Sequence, residues 1–267
     1  MYDAIKDRVK ELLSTGQVTG FLALKNENGH IKPHLFGSSD EVDQLSIGDG
    51  TTAGDARYPL TRILATLLRE HPGERFGILV RGCDQRALNA LAAWNQISLE
   101  QIVPAGVACS EELSQACGCA LPYPDEWLEG EQVQPRDPRP VDWEEKTRLQ
   151  RFREWRAEFE KCIKCYGCRN ICPMCFCKEC SLESEDVVPK GEIPPEVPMF
   201  HLVRAVHMIG RCVDCGMCEE ACPADIPLRS LYKKVNDIIE TRFHFKTGVE
   251  QTEPSPLHKI VEPPPTI

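Results

Sequence analysis

Two segments of this chain repeat one spacing of cysteines: CIKCYGCRNICP at residues 162–173 and CVDCGMCEEACP at residues 212–223. In each segment, three cysteines are separated by two residues, a fourth follows after three more, and a proline comes next. The chain has 15 cysteines in 267 residues, an odd number concentrated in its second half. That distribution is not typical of a disulfide framework and indicates metal or redox chemistry.

Both segments match the cysteine run of bacterial proteins that bind two [4Fe–4S] clusters, in which the fourth cysteine ligates the other cluster. The match predicts two ligand sets: Cys162, Cys165, Cys168 and Cys222 for cluster 1, and Cys212, Cys215, Cys218 and Cys172 for cluster 2. We expect the backbone amides of each loop to point at the sulfurs, and the fourth cysteine to begin a helix. The alternative is a zinc-binding interaction module, but zinc sites use paired C-x₂-C knuckles and have no use for the third cysteine.

Seven cysteines lie outside the two runs, and they leave several interpretations open. Thiolates for a third metal centre are available from Cys117, Cys119, Cys175, Cys177 and Cys180, although buried cysteines can also act as small hydrophobic residues. The others are Cys83 and Cys109.

Cys83 lies in VRGCDQRA, where the predicted strand FGILV meets the start of a predicted helix. The amides at such a position favour a thiolate, a cluster sulfur or a flavin phosphate, so Cys83 is a candidate cofactor-binding residue. The alternative is a plain strand–helix turn in which Asp84 is the N-cap.

The remaining sequence predicts an α+β protein. The apolar runs at residues 76–80 and 101–108 enclose the helix pattern QRALNALAAW, which is a βαβ unit. We therefore divide the chain into a small N-terminal α/β domain at residues 1–131, a Pro-rich linker at 132–141, a helical domain with a bacterial-type 2[4Fe–4S] ferredoxin core at 142–246, and a Pro-rich tail at 247–267.

Charge and hydropathy limit the classes of partner. Lys plus Arg total 31 and Asp plus Glu total 41, so the formal charge is −10, which argues against nucleic-acid binding. No apolar stretch is long enough to span a bilayer, and the N-terminus has no signal-peptide pattern. We therefore expect a cytoplasmic protein without membrane insertion.

Several stretches resemble one family. EKCIKCYGCRNICPMCFCKEC and FHLVRAVHMIGRCVDCGMCEEACPADIPL resemble the iron–sulfur beta subunits of formate dehydrogenases and coenzyme F420-reducing hydrogenases, of the type associated with heterodisulfide-reductase-like complexes. GILVRGCDQRALNAL and VACSEELSQACGCALPYP resemble the amino-terminal region of that family.

The resemblance implies a non-catalytic electron-transfer subunit in a hetero-oligomeric complex. Such a subunit relays electrons between a catalytic dehydrogenase or hydrogenase subunit and a flavoprotein that is like heterodisulfide reductase A. Some members of the family bind FAD and reduce a deazaflavin, so an FAD-dependent reductase with a flavin site at Cys83 is the second interpretation. The zinc module is the third.

Overall fold

The computed structural model describes residues 2–49, 52, 54–135, 145–186, 188–189, 191–195, 197–250 and 255–258. It is a mixed α/β structure with a small sheet and many helices. Two compact units are present: unit 1 contains Met1–Pro138 and Gly248–Glu253, and unit 2 contains Arg139–Thr247 and Pro254–Ile267. Most of the predicted linker at 132–141 lies outside the described residues.

Unit 1 is built around a small mixed sheet whose strands are in the order β2-β1-β4-β5, with the short β3 paired to β1. Its elements are α1 (Asp3–Ser14), β1 (Gly20–Glu27), β2 (His30–Phe36), β3 (Leu45–Ser46), α2 (Leu60–Glu70), β4 (Phe76–Val80), α3 (Gly82–Ala93), β5 (Ile102–Gly106) and α4 (Glu111–Cys117). β1 and β2 form an antiparallel hairpin, whereas β4 is parallel to both β1 and β5.

The predicted strand–helix–strand unit is formed by β4, α3 and β5. Every residue of β4 is buried, as the continuous apolar run FGILV indicates for a central strand covered on both faces. Gly77 is required there, because an added Cβ would lie 2.1 Å from the Phe21 ring. The apolar stripe of α1, which is Ile5, Val9 and Leu12, is fully buried in the core cluster that contains these strands.

The turn between β4 and α3 differs from the prediction in one respect. The N-cap of α3 is Arg81, and Asp84 is the third helical residue, whose carboxylate accepts a hydrogen bond of 3.0 Å from the Arg81 amide. Interpreting Asp84 as the N-cap is therefore wrong, because the helix begins two residues earlier at Gly82. Burial raises the pKa of Asp84, while the Arg81 amide and guanidinium oppose that rise.

Unit 2 is helical within its described residues, with one longer helix before, one between and one after the two cysteine segments. Its helices are α5 (Arg148–Phe159), α6 (Gly167–Asn170), α7 (Met199–Met208), α8 (Met217–Glu220) and α9 (Leu228–Phe243). α7 packs against α9, and α6 lies against α8. In the part of the chain that is described, no helix is both long and apolar enough to cross a membrane.

Candidate metal centres

The two cysteine runs adopt the same local conformation. In the first, Lys164 and Tyr166 have left-handed backbones, with φ of 55° and 58°. In the second, Asp214 and Gly216 occupy the corresponding positions, with φ of 54° and 78°. Such residues reverse the chain between cysteines, so each C-x₂-C-x₂-C segment curls into a loop.

Backbone amides point at the thiols, as predicted. The Lys164 amide lies 3.4 Å from the Cys162 Sγ, and the Gly167 amide lies 3.4 Å from the Cys165 Sγ. In the second run, the Asp214 amide lies 3.4 Å from the Cys212 Sγ. Hydrogen bonds of this kind stabilise thiolate charge, which a metal ligand must carry.

The fourth cysteine of each run does not begin a helix. The short helices α6 and α8 contain the third cysteine of each run and end before Cys172 and Cys222, which lie in the following turns. That part of the prediction is wrong. The three residues between the third and the fourth cysteine instead belong mostly to a single helical turn, which separates the two thiols.

The first run passes close to the end of the second. A Cβ added at Gly167 would lie 2.9 Å from the Ala221 carbonyl oxygen, so α6 and the residue before Cys222 are in near contact. Burial raises the pKa of the Cys162 thiol, the Lys164 amide opposes this rise, and the Cys165 and Cys222 thiols add to it. These thiols lie near one another. We call Cys162, Cys165, Cys168 and Cys222 set 1.

A cavity in unit 2 brings together the other four cysteines. Its lining includes Cys172, Cys212, Cys215 and Cys218, together with Arg204 and Tyr232. We call these four cysteines set 2. Burial raises the pKa of the Cys212 thiol to about 12, with Asp214 and Cys215 as further causes. The pKa of the Cys172 thiol is also raised, first by a hydrogen bond with Cys175 and then by burial.

These residues fit the chemistry of a [4Fe–4S] cluster. Each set consists of thiols alone, without the histidine or carboxylate ligands that zinc and magnesium sites often include. Burial raises the pKa of the Cys212 and Cys218 thiols, so these two are protonated without metal, and iron would displace their protons on binding. Among the described residues, no three His, Cys, Asp or Glu side chains converge as ligands of a single metal ion.

The cysteines outside the two sets are divided between the units. In unit 1, burial raises the pKa of the Cys109 thiol to about 11, and the neighbouring Cys117 and Cys119 add to that rise while Arg81 opposes it. We call Cys109, Cys117 and Cys119 set 3. Cys109 was not among the predicted ligands of a third centre. The signal available for it was its position three residues after the last parallel strand, which ends at Gly106.

Cys175, Cys177 and Cys180 lie in unit 2, and their described contacts are with different neighbours. The Cys175 Sγ is 3.3 Å from Arg204 Nη1, and the exposed Cys177 is 3.8 Å from Arg211 Nη1. Cys180 packs against the small apolar cluster of Leu182, Val188 and Phe200.

Cys83 is the second residue of α3 and is half-buried. The start of this helix is covered by the chain itself, because a Cβ on Gly82 would lie 2.3 Å from the Leu121 carbonyl oxygen and 2.7 Å from that of Tyr123. Carbonyl oxygens repel an anion, so the space beside Gly82 does not fit a flavin phosphate. This observation weighs against the flavin interpretation of Cys83.

Arg204 was not singled out by sequence reasoning. It lies on α7 and is 3% exposed. Its Nη2 donates a 2.6 Å hydrogen bond to the Cys168 carbonyl oxygen, and its guanidinium carbon is 5.4 Å from the centre of the Tyr232 ring. The available signal was its spacing of four residues from both Phe200 and Met208, which places all three on the buried stripe of the helix.

Comparison with known proteins identifies related sequences. Over 107 residues, the chain is 43% identical to the F420-dependent formate dehydrogenase subunit beta of Methanocaldococcus jannaschii, an alignment that covers 40% of this chain and 28% of that protein. The chain is similar to beta subunits of formate dehydrogenases. The resemblance inferred from the sequence motifs is thereby confirmed.

Two further relatives agree with this similarity. The F420-dependent formate dehydrogenase 1 subunit beta of Methanococcus maripaludis is 42% identical over 104 residues, which are 39% of this chain and 27% of that protein. An uncharacterized ferredoxin of M. jannaschii is 36% identical over 81 residues, covering 24% of this chain and 49% of that protein. The chain thus spans about a quarter of the length of the formate dehydrogenase subunits that it matches. No protein-family model matches it.

Proposed function

We propose that this chain is an iron–sulfur electron-transfer subunit that holds two [4Fe–4S] clusters, one in set 1 and one in set 2. The observation that carries the proposal is the pair of equivalent loops. In both loops, backbone amides lie 3.4 Å from cysteine sulfurs. When bound, each cluster would accept and release one electron without forming or breaking a bond to substrate.

The protein's own residues have three tasks in this function. The thiolates of both sets hold the iron, and the loop amides stabilise the charge on the sulfurs. The buried surroundings of Cys168, Cys172 and Cys218 keep water away from the ligands. Hydrogen bonds to sulfur and solvent exposure tune the reduction potential of such centres, so these residues set the range in which the subunit works.

We further propose the partners of this relay. Two relatives are named as beta subunits of F420-dependent formate dehydrogenases, which supports a place between a catalytic dehydrogenase or hydrogenase subunit and a second redox protein. A flavoprotein like heterodisulfide reductase A is the acceptor that the sequence resemblance implies. We propose that the complex is cytoplasmic and hetero-oligomeric.

Counting cofactors in the anaerobically purified chain tests the assignment of the clusters. We expect about eight irons and about eight acid-labile sulfides per chain, and no flavin. About twelve irons would indicate a third centre, for which set 3 and the group Cys175, Cys177 and Cys180 are the candidate ligands. Zinc without iron would overturn the proposal in favour of the interaction module, and stoichiometric FAD would support the flavin-dependent reductase.

The relay itself is tested in the complex purified with its partners. We expect Cys165→Ser and Cys215→Ser to stop electron transfer through the complex while the partner still reduces an artificial acceptor. In a chain that holds about eight irons, Cys177→Ser is the matched control, because it removes an exposed thiol outside both sets and should leave electron transfer unchanged. Loss of the partner's own half-reaction in an intact complex would show that this chain takes part in the chemistry.

A further inference from the structure

Arg204 carries a charge that is buried without a carboxylate beside it. Among the ion pairs of the described residues, none includes Arg204, and its Nε has no hydrogen-bond partner there. Removing a charged group from water costs several kcal/mol unless an opposite charge is supplied nearby. The groups around the guanidinium are a carbonyl, an aromatic ring and cysteines.

The same guanidinium lies beside both sets. Its Nη2 donates a 2.6 Å hydrogen bond to the backbone carbonyl oxygen of Cys168 of set 1. Arg204 also lines the cavity that contains the four cysteines of set 2. Arg204 is therefore a single cation that lies close to both thiol sets. Asp214, beside Cys212, is by contrast already paired with Arg229 at 2.6 Å.

We propose that Arg204 is the shared counter-ion of the two metal centres, a positioning residue that raises both reduction potentials. This inference rests on the proposed function. Each centre takes up one electron from a reductant such as dithionite, and each site gains one negative charge. A nearby cation stabilises that charge, and in a buried environment it is only weakly screened.

A redox titration of the full-length, anaerobically purified chain, followed by electron paramagnetic resonance, tests this role. In Arg204→Gln we expect both midpoint potentials to fall by at least about 59 mV, which is a tenfold change in the equilibrium constant of a one-electron reduction. Both potentials should fall together, because one cation lies beside both centres. A purely structural role would not lower both potentials in a protein that keeps its iron.

Two variants complete the experiment. Arg153→Gln removes the same charge from an exposed position on α5. We expect its reduction equilibrium constants to stay within about threefold of those of the unaltered protein. Arg204→Lys keeps the charge but loses the planar fork, so its potentials should stay closer to those of the unaltered protein than Arg204→Gln does. If Arg204→Gln loses its iron, unchanged potentials in Arg204→Lys would still support the proposal.

Three results would overturn the inference. Potentials in a fully metallated Arg204→Gln that match those of Arg153→Gln would remove the electrostatic role. So would an Arg204→Lys variant shifted as far as Arg204→Gln, and so would loss of iron from Arg204→Lys, which would mark the side chain as structural. An unaltered protein that contains no iron would instead refute the proposed function, so the two failures can be told apart.

Discussion

Lys164 and Asp214 occupy equivalent positions in the two cysteine runs and share a left-handed backbone, with φ of 55° and 54°. Their side chains differ in charge and in partner. The Lys164 Nζ donates to the Pro189 carbonyl oxygen, whereas the Asp214 carboxylate accepts two hydrogen bonds from Arg229, of 2.6 and 3.0 Å. The loop conformation therefore follows the thiol spacing and is the same for a basic and for an acidic side chain.

The left-handed conformation leads to a first prediction, which compares Lys164→Val with Lys164→Asn. Both variants lose the lysine charge and its hydrogen bond, but asparagine tolerates this conformation and a β-branched residue does not. The strain of about 1–2 kcal/mol should make iron release from the valine variant about tenfold faster. The measurement is the rate of iron transfer to a chelator under nitrogen. Equal rates in the two variants would mean that the loop relaxes when iron binds.

A second prediction concerns the packing of unit 1. A Cβ added at Gly106 would lie 1.9 Å from the Glu126 carbonyl oxygen, so Gly106→Ala forces two backbone segments apart at the end of β5. We expect a loss of about 1–3 kcal/mol in the free energy of unfolding. Gly37→Ala is the control, because nothing lies within 4 Å of its added Cβ. Thermal unfolding at one fixed pH compares them, and equal melting temperatures would contradict the packing described for β5.

His201 gives a third prediction, on the dependence of stability on pH. Its ring stacks on Phe159 at 4.5 Å, and neither ring nitrogen has a hydrogen-bond partner among the described residues. Burial, with a further contribution from Arg204, lowers its pKa to about 4. The unfolded chain binds the proton near pH 6.5, so stability is complete above that pH and falls as the pH drops toward 4, by about 1.4 kcal/mol per unit.

Substitution of this histidine should therefore weaken the dependence on acid. We expect His201→Phe to lose less stability than the unaltered protein between pH 7 and pH 5, as measured by the midpoint of urea unfolding. His207→Phe, on the exposed side of the same helix, should behave like the unaltered protein. Acid also affects iron–sulfur centres, but that loss is common to all three proteins. Parallel curves for His201→Phe and the unaltered protein would show that this ring is not buried as a neutral group.

The fourth prediction tests how the segment around Gly248 is held in unit 1. Asn89 Nδ2 donates a 3.0 Å hydrogen bond to the Gly248 carbonyl oxygen, and Asn89 is 2% exposed. A Cβ on Gly248 would lie 2.0 Å from the Arg86 carbonyl oxygen, so the contact is close. Asn89→Ala should cost about 1–3 kcal/mol and expose this segment to limited proteolysis. Gln96→Ala, which removes only a local hydrogen bond to Trp94, should leave the cleavage pattern unchanged.

The sequence predicted much of the local structure and less of what depends on tertiary contacts. The strand Phe76–Val80 was predicted at its observed bounds, because a continuous apolar run is a local signal. The two thiol sets follow from spacing, and their membership remains a proposal. The position of the fourth cysteine after a short helix was missed, because a helix of four residues has no amphipathic pattern to detect.

Two features of the site could not be predicted from the sequence. Burial of Arg204 depends on how α7 packs against α9, and an arginine in a helix pattern is more often exposed. The grouping of Cys109 with Cys117 and Cys119 depends on where the chain returns after β5. In both cases the decisive information is which segments distant in sequence come together.

The exposure of the cysteines differs between the two sets, and this has a consequence for handling the protein in air. Cys165 of set 1 is exposed, whereas the cysteines of set 2 are partly buried (Cys212 and Cys215) or buried (Cys172 and Cys218). Dioxygen and water reach a thiolate at the surface first, and a ligand that is oxidised no longer holds its metal. For a chain that carries both clusters, damage should therefore begin at set 1 and leave an intermediate species with a single intact centre.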